Sequence, residues 1–288
     1  MTSLANYISF LAMTTTQTLH LDRGPGRIAY DVTGEGPLVV CIPGMGDLRS
    51  TFRHLVPALA GQGYRVATFD LRGHGDSDAG FTAYDDVAAA ADAVALVEHL
   101  GAGPAVLVGS SMGAGAAVYA AAERPELVAG LALLGPFVRN PPMGRAKLTL
   151  IRAATAAMLV RPWGPAMWRL YYTSLFPTRK DAEFQQHRAE VLASLRRPGR
   201  WAAFRATART SHDPVAARLG EVHVPAVAVM GTKDPDFSDP AAEARFIEQA
   251  LGARTVLVDG AGHYPQAEFP DATTPAVVEL AARAFARA

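Results

Sequence analysis

Short, nearly continuous apolar runs recur along the chain, separated by segments long enough for helices. The runs are LVVCI (38–42), RVATFDL (65–71), AVLVG (105–109), LALLG (131–135), AVAVMG (226–231) and TVLVDG (255–260). A strand with one wet face alternates polar and apolar residues, whereas a strand buried on both faces does not. These runs therefore predict strands covered on both sides. The intervening spacing predicts helices near 51–61, 84–100, 112–123, 241–251 and 272–287. Ser50 and Thr82 suit helix N-caps, and Pro125 stops the third helix. Strands alternating with helices predict a mainly parallel, doubly wound α/β sheet. Two earlier segments, TQTLHLD and GRIAYDVTG, predict an antiparallel hairpin on one edge.

The alternation breaks between residues 138 and 212, where no strand pattern appears. That stretch is helical and holds Trp163, Trp168 and Trp201. From Phe137 to Asp213 there are 14 Lys/Arg against four Asp/Glu. An insertion that interrupts βα alternation and then yields to it reads as a helical lid. The expected organisation is a core of residues 14–137 and 213–288, a cap of 138–212, and an N-terminal extension of 1–13 with Met13 as an internal start.

Composition narrows the function. Lys+Arg and Asp+Glu both number 27, a balance unlike that of general nucleic-acid binders. The single cysteine, Cys41, excludes an internal disulfide framework and sits in an apolar run that suppresses thiolate formation. No run of eighteen apolar residues is present, and the N-terminus lacks the basic region and cleavage pattern of a signal peptide. The expectation is a cytoplasmic protein with a small-molecule substrate and neither nucleic acid nor membrane as partner.

The chemistry concentrates at Gly109-Ser110-Ser111-Met112-Gly113, which fits G-x-S-x-G between a strand and a helix. Such a corner forces its serine into a strained backbone and requires small residues two positions either side. Spacing makes Ser111 the nucleophile and Ser110 a spacer. A serine needs a base, and the base needs an orienting acid. In sheets of this kind the partners follow in the order serine, acid, histidine. Asp234 follows one strand in MGTKDPDF, and His263 follows the last strand in VDGAGHYP. Asp236 is the rival acid, and Asp259 reads as structural. Among the remaining histidines, His74 and His212 are the least settled. The oxyanion donors are expected to be the backbone N–H groups of Met112 and of Met45, the latter in Pro43-Gly44-Met45-Gly46-Asp47.

With GSSMG, FDLRGHGDSD (69–78), GTKDP and GAGH in place, residues 25–288 resemble the α/β-hydrolase superfamily. The likeness is to its lidded serine-hydrolase branch, which includes esterases, perhydrolases and C–C bond hydrolases. It implies acyl transfer to water through a Ser111 acyl-enzyme, with Asp234 and His263 completing a triad and no metal or cofactor. It also implies that Asp70 to Gly75 form a structural turn. The family usually carries His-Gly before the oxyanion donor, whereas this chain has Pro43-Gly44. Serine at the elbow argues against the dehalogenase and epoxide-hydrolase branches, which use aspartate. The resulting expectation is hydrolysis of an ester or lactone of a small, largely apolar substrate. C–C hydrolysis or perhydrolysis is the enzymatic alternative. A ligand-binding or signalling protein built on the same fold is the alternative of another class.

Overall fold

The computed structural model describes residues 17–287. Among them, eight strands form one sheet: β1 (Leu19–Asp22), β2 (Arg27–Thr33), β3 (Leu38–Ile42), β4 (Arg65–Phe69), β5 (Ala105–Ser110), β6 (Val128–Leu134), β7 (Ala226–Gly231) and β8 (Arg254–Val258). The spatial order is β1-β2-β4-β3-β5-β6-β7-β8. Strand β1 pairs antiparallel with β2, β2 pairs antiparallel with β4, and every other pairing is parallel. The expected hairpin is thus the antiparallel edge of a parallel sheet.

The continuous apolar runs have a direct explanation. Along β3, Leu38, Val40 and Ile42 enter one apolar cluster, while Val39 and Cys41 enter another on the opposite face. In β5, Ala105 and Leu107 divide from Val106 and Val108 in the same way. Side chains alternate across a strand, so both sets must be apolar when helices cover both faces. Helices α1 (Leu55–Gly61) and α11 (Pro270–Phe285) supply Leu55, Leu59, Val277 and Leu280 to one face. Helices α2 (Asp86–Leu100), α3 (Met112–Glu123) and α9 (Pro240–Leu251) cover the other.

Between β6 and β7 come α4 (Arg145–Met158), α5 (Gly164–Ser174), α6 (Ala182–Arg196) and α7 (Arg200–Thr207), then the short α8 (Asp213–Ala216). They carry a third apolar cluster that includes Trp168, Tyr172, Phe176, Phe204 and Tyr264. Tyr264, beside His263, belongs to the sheet's last loop and α10 (Pro265–Glu268) follows it, so the cluster ties the insertion to the core.

Several local expectations shift. Thr82 is not a cap: Asp85 is, accepting from the Ala88 N–H. Ser50 lies inside a short 3-10 turn, Arg49–Phe52, that precedes α1, so the expected 51–61 helix is split. β4 ends at Phe69, β6 begins at Val128, and β8 ends before Asp259. The proposed extension of residues 1–13 lies outside the described residues. Among those described, no helix is long and apolar enough to cross a membrane.

Candidate active site

Parallel register brings the ends of β3, β5, β6 and β7 to one edge of the sheet, pairing Ile42 with Gly109 and Ser110 with Leu134. Ser111 stands just past that edge, at φ 56° and ψ −123°. Among the described residues it is the one non-glycine with positive φ. The turn is crowded as the motif requires. A Cβ on Gly113 would sit 2.2 Å from the Ile42 carbonyl oxygen, and one on Gly109 2.3 Å from that of Gly113. Gly44 is also close-packed, though less so, with its Cβ position 2.8 Å from the Ser111 Cβ. The contacts at Gly113 are backbone atoms that cannot swing away. Gly113→Ala is therefore expected to cost about 2–4 kcal/mol of stability. A thermal midpoint within a degree of the parent by calorimetry would refute that.

Ser111, His263 and Asp234 come together across the loops. The Ser111 Oγ lies 2.8 Å from His263 Nε2, and His263 Nδ1 lies 2.7 Å from Asp234 Oδ2. All three are buried. An ionised Asp234 can only accept, so it keeps a proton on Nδ1 and leaves Nε2 of the neutral ring to accept from the serine. Asp236 Oδ2 stands 3.6 Å from the same Nδ1, outside hydrogen-bonding range. Its other oxygen accepts from the Tyr171 hydroxyl of α5. Burial pushes the His263 imidazole down, yet the Asp234 and Asp236 carboxylates outweigh burial and hold it up at about 9. Burial pushes the Asp236 carboxyl up, and nearby Asp234 adds to that.

The two expected oxyanion donors are unengaged. Neither the Met45 nor the Met112 N–H donates to any atom of the described residues. Met112 opens α3, where first-turn N–H groups have no helical acceptor. The neighbouring Gly46 N–H donates to His74 Nε2 at 3.0 Å, while His74 Nδ1 donates to the Arg72 carbonyl at 3.0 Å. Burial pushes His74 down, which suits a neutral ring with one donor and one acceptor. The turn at 70–75 thus holds the loop of residues 43–47, where the Met45 donor is expected. The unusual Pro43-Gly44 leaves the backbone donor free.

Ser110 proves distinct from Ser111. It is fully buried, and its Oγ accepts from Gln266 Nε2 at 3.0 Å. Asp259 accepts from the Thr232 hydroxyl in a turn, consistent with a structural part. His212 pairs with Asp86 at 2.7 Å and stacks on Phe137, whose ring centre is 5.6 Å from that of His263. Cys41 is buried in the sheet, and burial pushes its thiol up.

Sequence reasoning missed the groups that hold these loops to the helical insertion. Asp47, at the end of the 43–47 loop, is buried against His187 Nε2 at 2.7 Å and accepts from the Tyr172 hydroxyl at 3.1 Å. Burial raises the Asp47 carboxyl, but His187 and several hydrogen bonds bring it below its usual range. Trp168 closes over Gly46, whose Cβ position lies 2.4 Å from the indole ring. Glu268 is buried and accepts from the N–H groups of Gly262, Thr178 and Arg179, each at 2.7 Å. The His263 N–H donates to the Leu175 carbonyl at 2.9 Å. Only a three-dimensional arrangement could reveal these pairs, because their partners lie up to 140 residues apart.

A family model described as the alpha/beta hydrolase fold matches residues 37–270. Over 111 aligned residues the chain is 44% identical to a Mycobacterium tuberculosis (strain CDC 1551 / Oshkosh) protein named as a candidate non-heme bromoperoxidase. That match covers 38% of this chain and 41% of the relative. Identity to epoxide hydrolase A of M. tuberculosis (strain ATCC 25618 / H37Rv) is 28% over 318 positions, covering 90% of this chain and 95% of that protein. A thermophilic esterase from Thermogutta terrifontis has a similar fold, with a TM-score of 0.76 at 24% identity, covering 93% of this chain and 99% of that one.

Proposed function

The chain belongs to the α/β-hydrolase fold family, and from that premise we propose that it is a serine hydrolase cleaving a carboxylic ester or lactone. The observation that carries this reading is the continuous hydrogen-bonded line from Asp234 through His263 to Ser111. In the proposed cycle the Ser111 oxygen attacks the substrate carbonyl carbon while His263 Nε2 takes its proton. The carbonyl π electrons move to oxygen, which accepts from the free N–H groups of Met45 and Met112. Collapse expels the alcohol or, in a lactone, the ring oxygen, which receives the proton held on Nε2. Water then attacks the acyl-enzyme, giving one proton to Nε2, and the acid leaves as the proton returns to Ser111. Asp234 accepts from the Nδ1–H throughout and orients the ring.

The environment supports a small, largely apolar substrate. Phe137, Phe237 and Tyr264 place ring centres 5.6, 6.4 and 5.0 Å from that of His263. The helical insertion would act as the lid. The epoxide-hydrolase relative favours another reaction, but serine at Ser111 argues against it, since that branch attacks with aspartate. The bromoperoxidase relative favours a second reading, in which hydrogen peroxide replaces water in the deacylation of the same acyl-enzyme. The two readings share their first half and differ in the acceptor.

The test is covalent. A fluorophosphonate is expected to label the protein once, with the adduct mapped by peptide mass to Ser111. A panel of esters, lactones, dienone-type ketones and epoxides, with and without peroxide, then assigns the reaction. Labelling at another residue, or turnover restricted to epoxides, would overturn the proposal.

A further inference from the structure

The outer face of the helical insertion carries features that the candidate triad does not use. From Leu127 to Lys180 the chain has eight Lys and Arg residues and no Asp or Glu. Seven large apolar side chains are exposed among the described residues, and five of them lie on this stretch: Leu150, Ile151, Trp163, Met167 and Leu170. Trp163 is 53% exposed and Leu170 59%. Trp163, Met167 and Leu170 fall at i, i+4 and i+7, so they form one stripe along α5.

Beside that stripe, Arg161, Arg169 and Arg196 line a cleft of about 320 Å³ floored by Leu192, Leu195 and Trp201. A smaller cleft is lined by Arg152, Arg205 and Arg209. Neither contains a carboxylate. Arg161, Arg169, Arg196, Arg205 and Arg209 form no ion pair among the described residues. The acids within the insertion are engaged elsewhere. Asp181 caps α6, Glu183 pairs with His54, and Glu190 accepts from Gln186.

Unpaired arginines beside exposed Trp, Met and Leu match a surface that is anionic outside and apolar just beneath. A second copy docking face to face would set like charge against like, because a two-fold contact matches a patch with itself. A nucleic acid would satisfy the arginines but leave the apolar stripe in water. We propose that this face docks the protein on an anionic phospholipid surface. The Arg161–Arg169–Arg196 cleft receives a headgroup phosphate, and Trp163, Met167 and Leu170 seat among the acyl chains. The expectation of no membrane partner rested on hydropathy, which detects spans; a peripheral face of this kind contains none. The inference is independent of the reaction assigned above.

The test uses the full chain with vesicles of phosphatidylglycerol mixed equally with phosphatidylcholine, and with phosphatidylcholine alone. Sedimentation is expected to show about tenfold or stronger partitioning onto the anionic vesicles, weakened by high salt. Trp168 and Trp201 are 2% and 5% exposed, so a blue shift in tryptophan emission reports Trp163. Two variants, R161Q/R169Q/R196Q and W163S/L170S, should each lose about tenfold or more of the partitioning. Both should keep the parent's turnover and circular dichroism. Equal binding to neutral vesicles, no binding, or unchanged binding of W163S/L170S would overturn the proposal. So would duplex DNA binding in place of vesicles, or a dimer abolished by the same substitutions.

Discussion

Ser111→Ala is expected to lower turnover of p-nitrophenyl acetate about ten-thousand-fold or more, with the fold retained. The size follows from what the hydroxyl does. In the proposed cycle it is the atom that bonds to the substrate, so its loss would remove the acyl-enzyme route, and no second serine could replace it. Ser110 is the obvious substitute in sequence, but its Oγ is buried against Gln266. What remains is whatever the Met45 and Met112 N–H groups and substrate binding contribute alone. The thermal cost should be small. His263 Nε2 loses its donor, a penalty on the order of 1–3 kcal/mol, while the crowded turn keeps its glycines. Steady-state kinetics together with a thermal melt check both halves. Turnover within tenfold of the parent sinks the assignment of Ser111.

The second large effect separates the two carboxylates near His263. Asp234→Asn is expected to lower kcat about 10³–10⁴-fold, because an amide can offer Nδ1 a donor where an acceptor is needed and so favours the wrong tautomer. Asp236→Asn should leave most of kcat and instead move the pH profile. His263 accepts a proton only when neutral, and in the free enzyme it is held up at about 9. The base limb of kcat/KM should therefore rise through neutral pH and level off near 9. Removing the Asp236 charge takes away one of the anions that, with Asp234 and Asp47, oppose the effect of burial, so the limb moves to lower pH. A profile for Asp236→Asn that moves to higher pH, or an Asp234→Asn enzyme near full activity, would contradict this division of roles. A control is Tyr171→Phe, which removes the hydroxyl donated to Asp236 without touching Asp234.

The sheet was legible because burial on both faces removes the polar alternation, leaving runs such as those at 38–42 and 226–231 that only a covered strand explains. The elbow was legible because its spacing is a steric requirement: Gly109 and Gly113 face backbone atoms less than 2.5 Å from a notional Cβ. Helix starts were less clear. Thr82 and Asp85 are both competent caps, and local sequence does not say which one the chain's path selects. The supports of the site were not legible at all. Asp47, His187, Tyr171 and Glu268 look like ordinary residues until the insertion folds back over the sheet. His74 stood among the unsettled histidines because nothing in RGHG says that its ring will meet the Gly46 N–H.

The Asp47–His187 pair and the closure of Trp168 over Gly46 have a consequence for how such proteins diversify. Caps on a shared scaffold are natural units for exchange, by recombination or in the laboratory. In this chain the seam of such an exchange does not fall at residues 138 and 212. Cutting there strands a buried carboxylate on one parent and its imidazole on the other. The heritable module is discontinuous: the helices travel together with Gly46 and Asp47, about a hundred residues upstream of the helices that begin at Arg145.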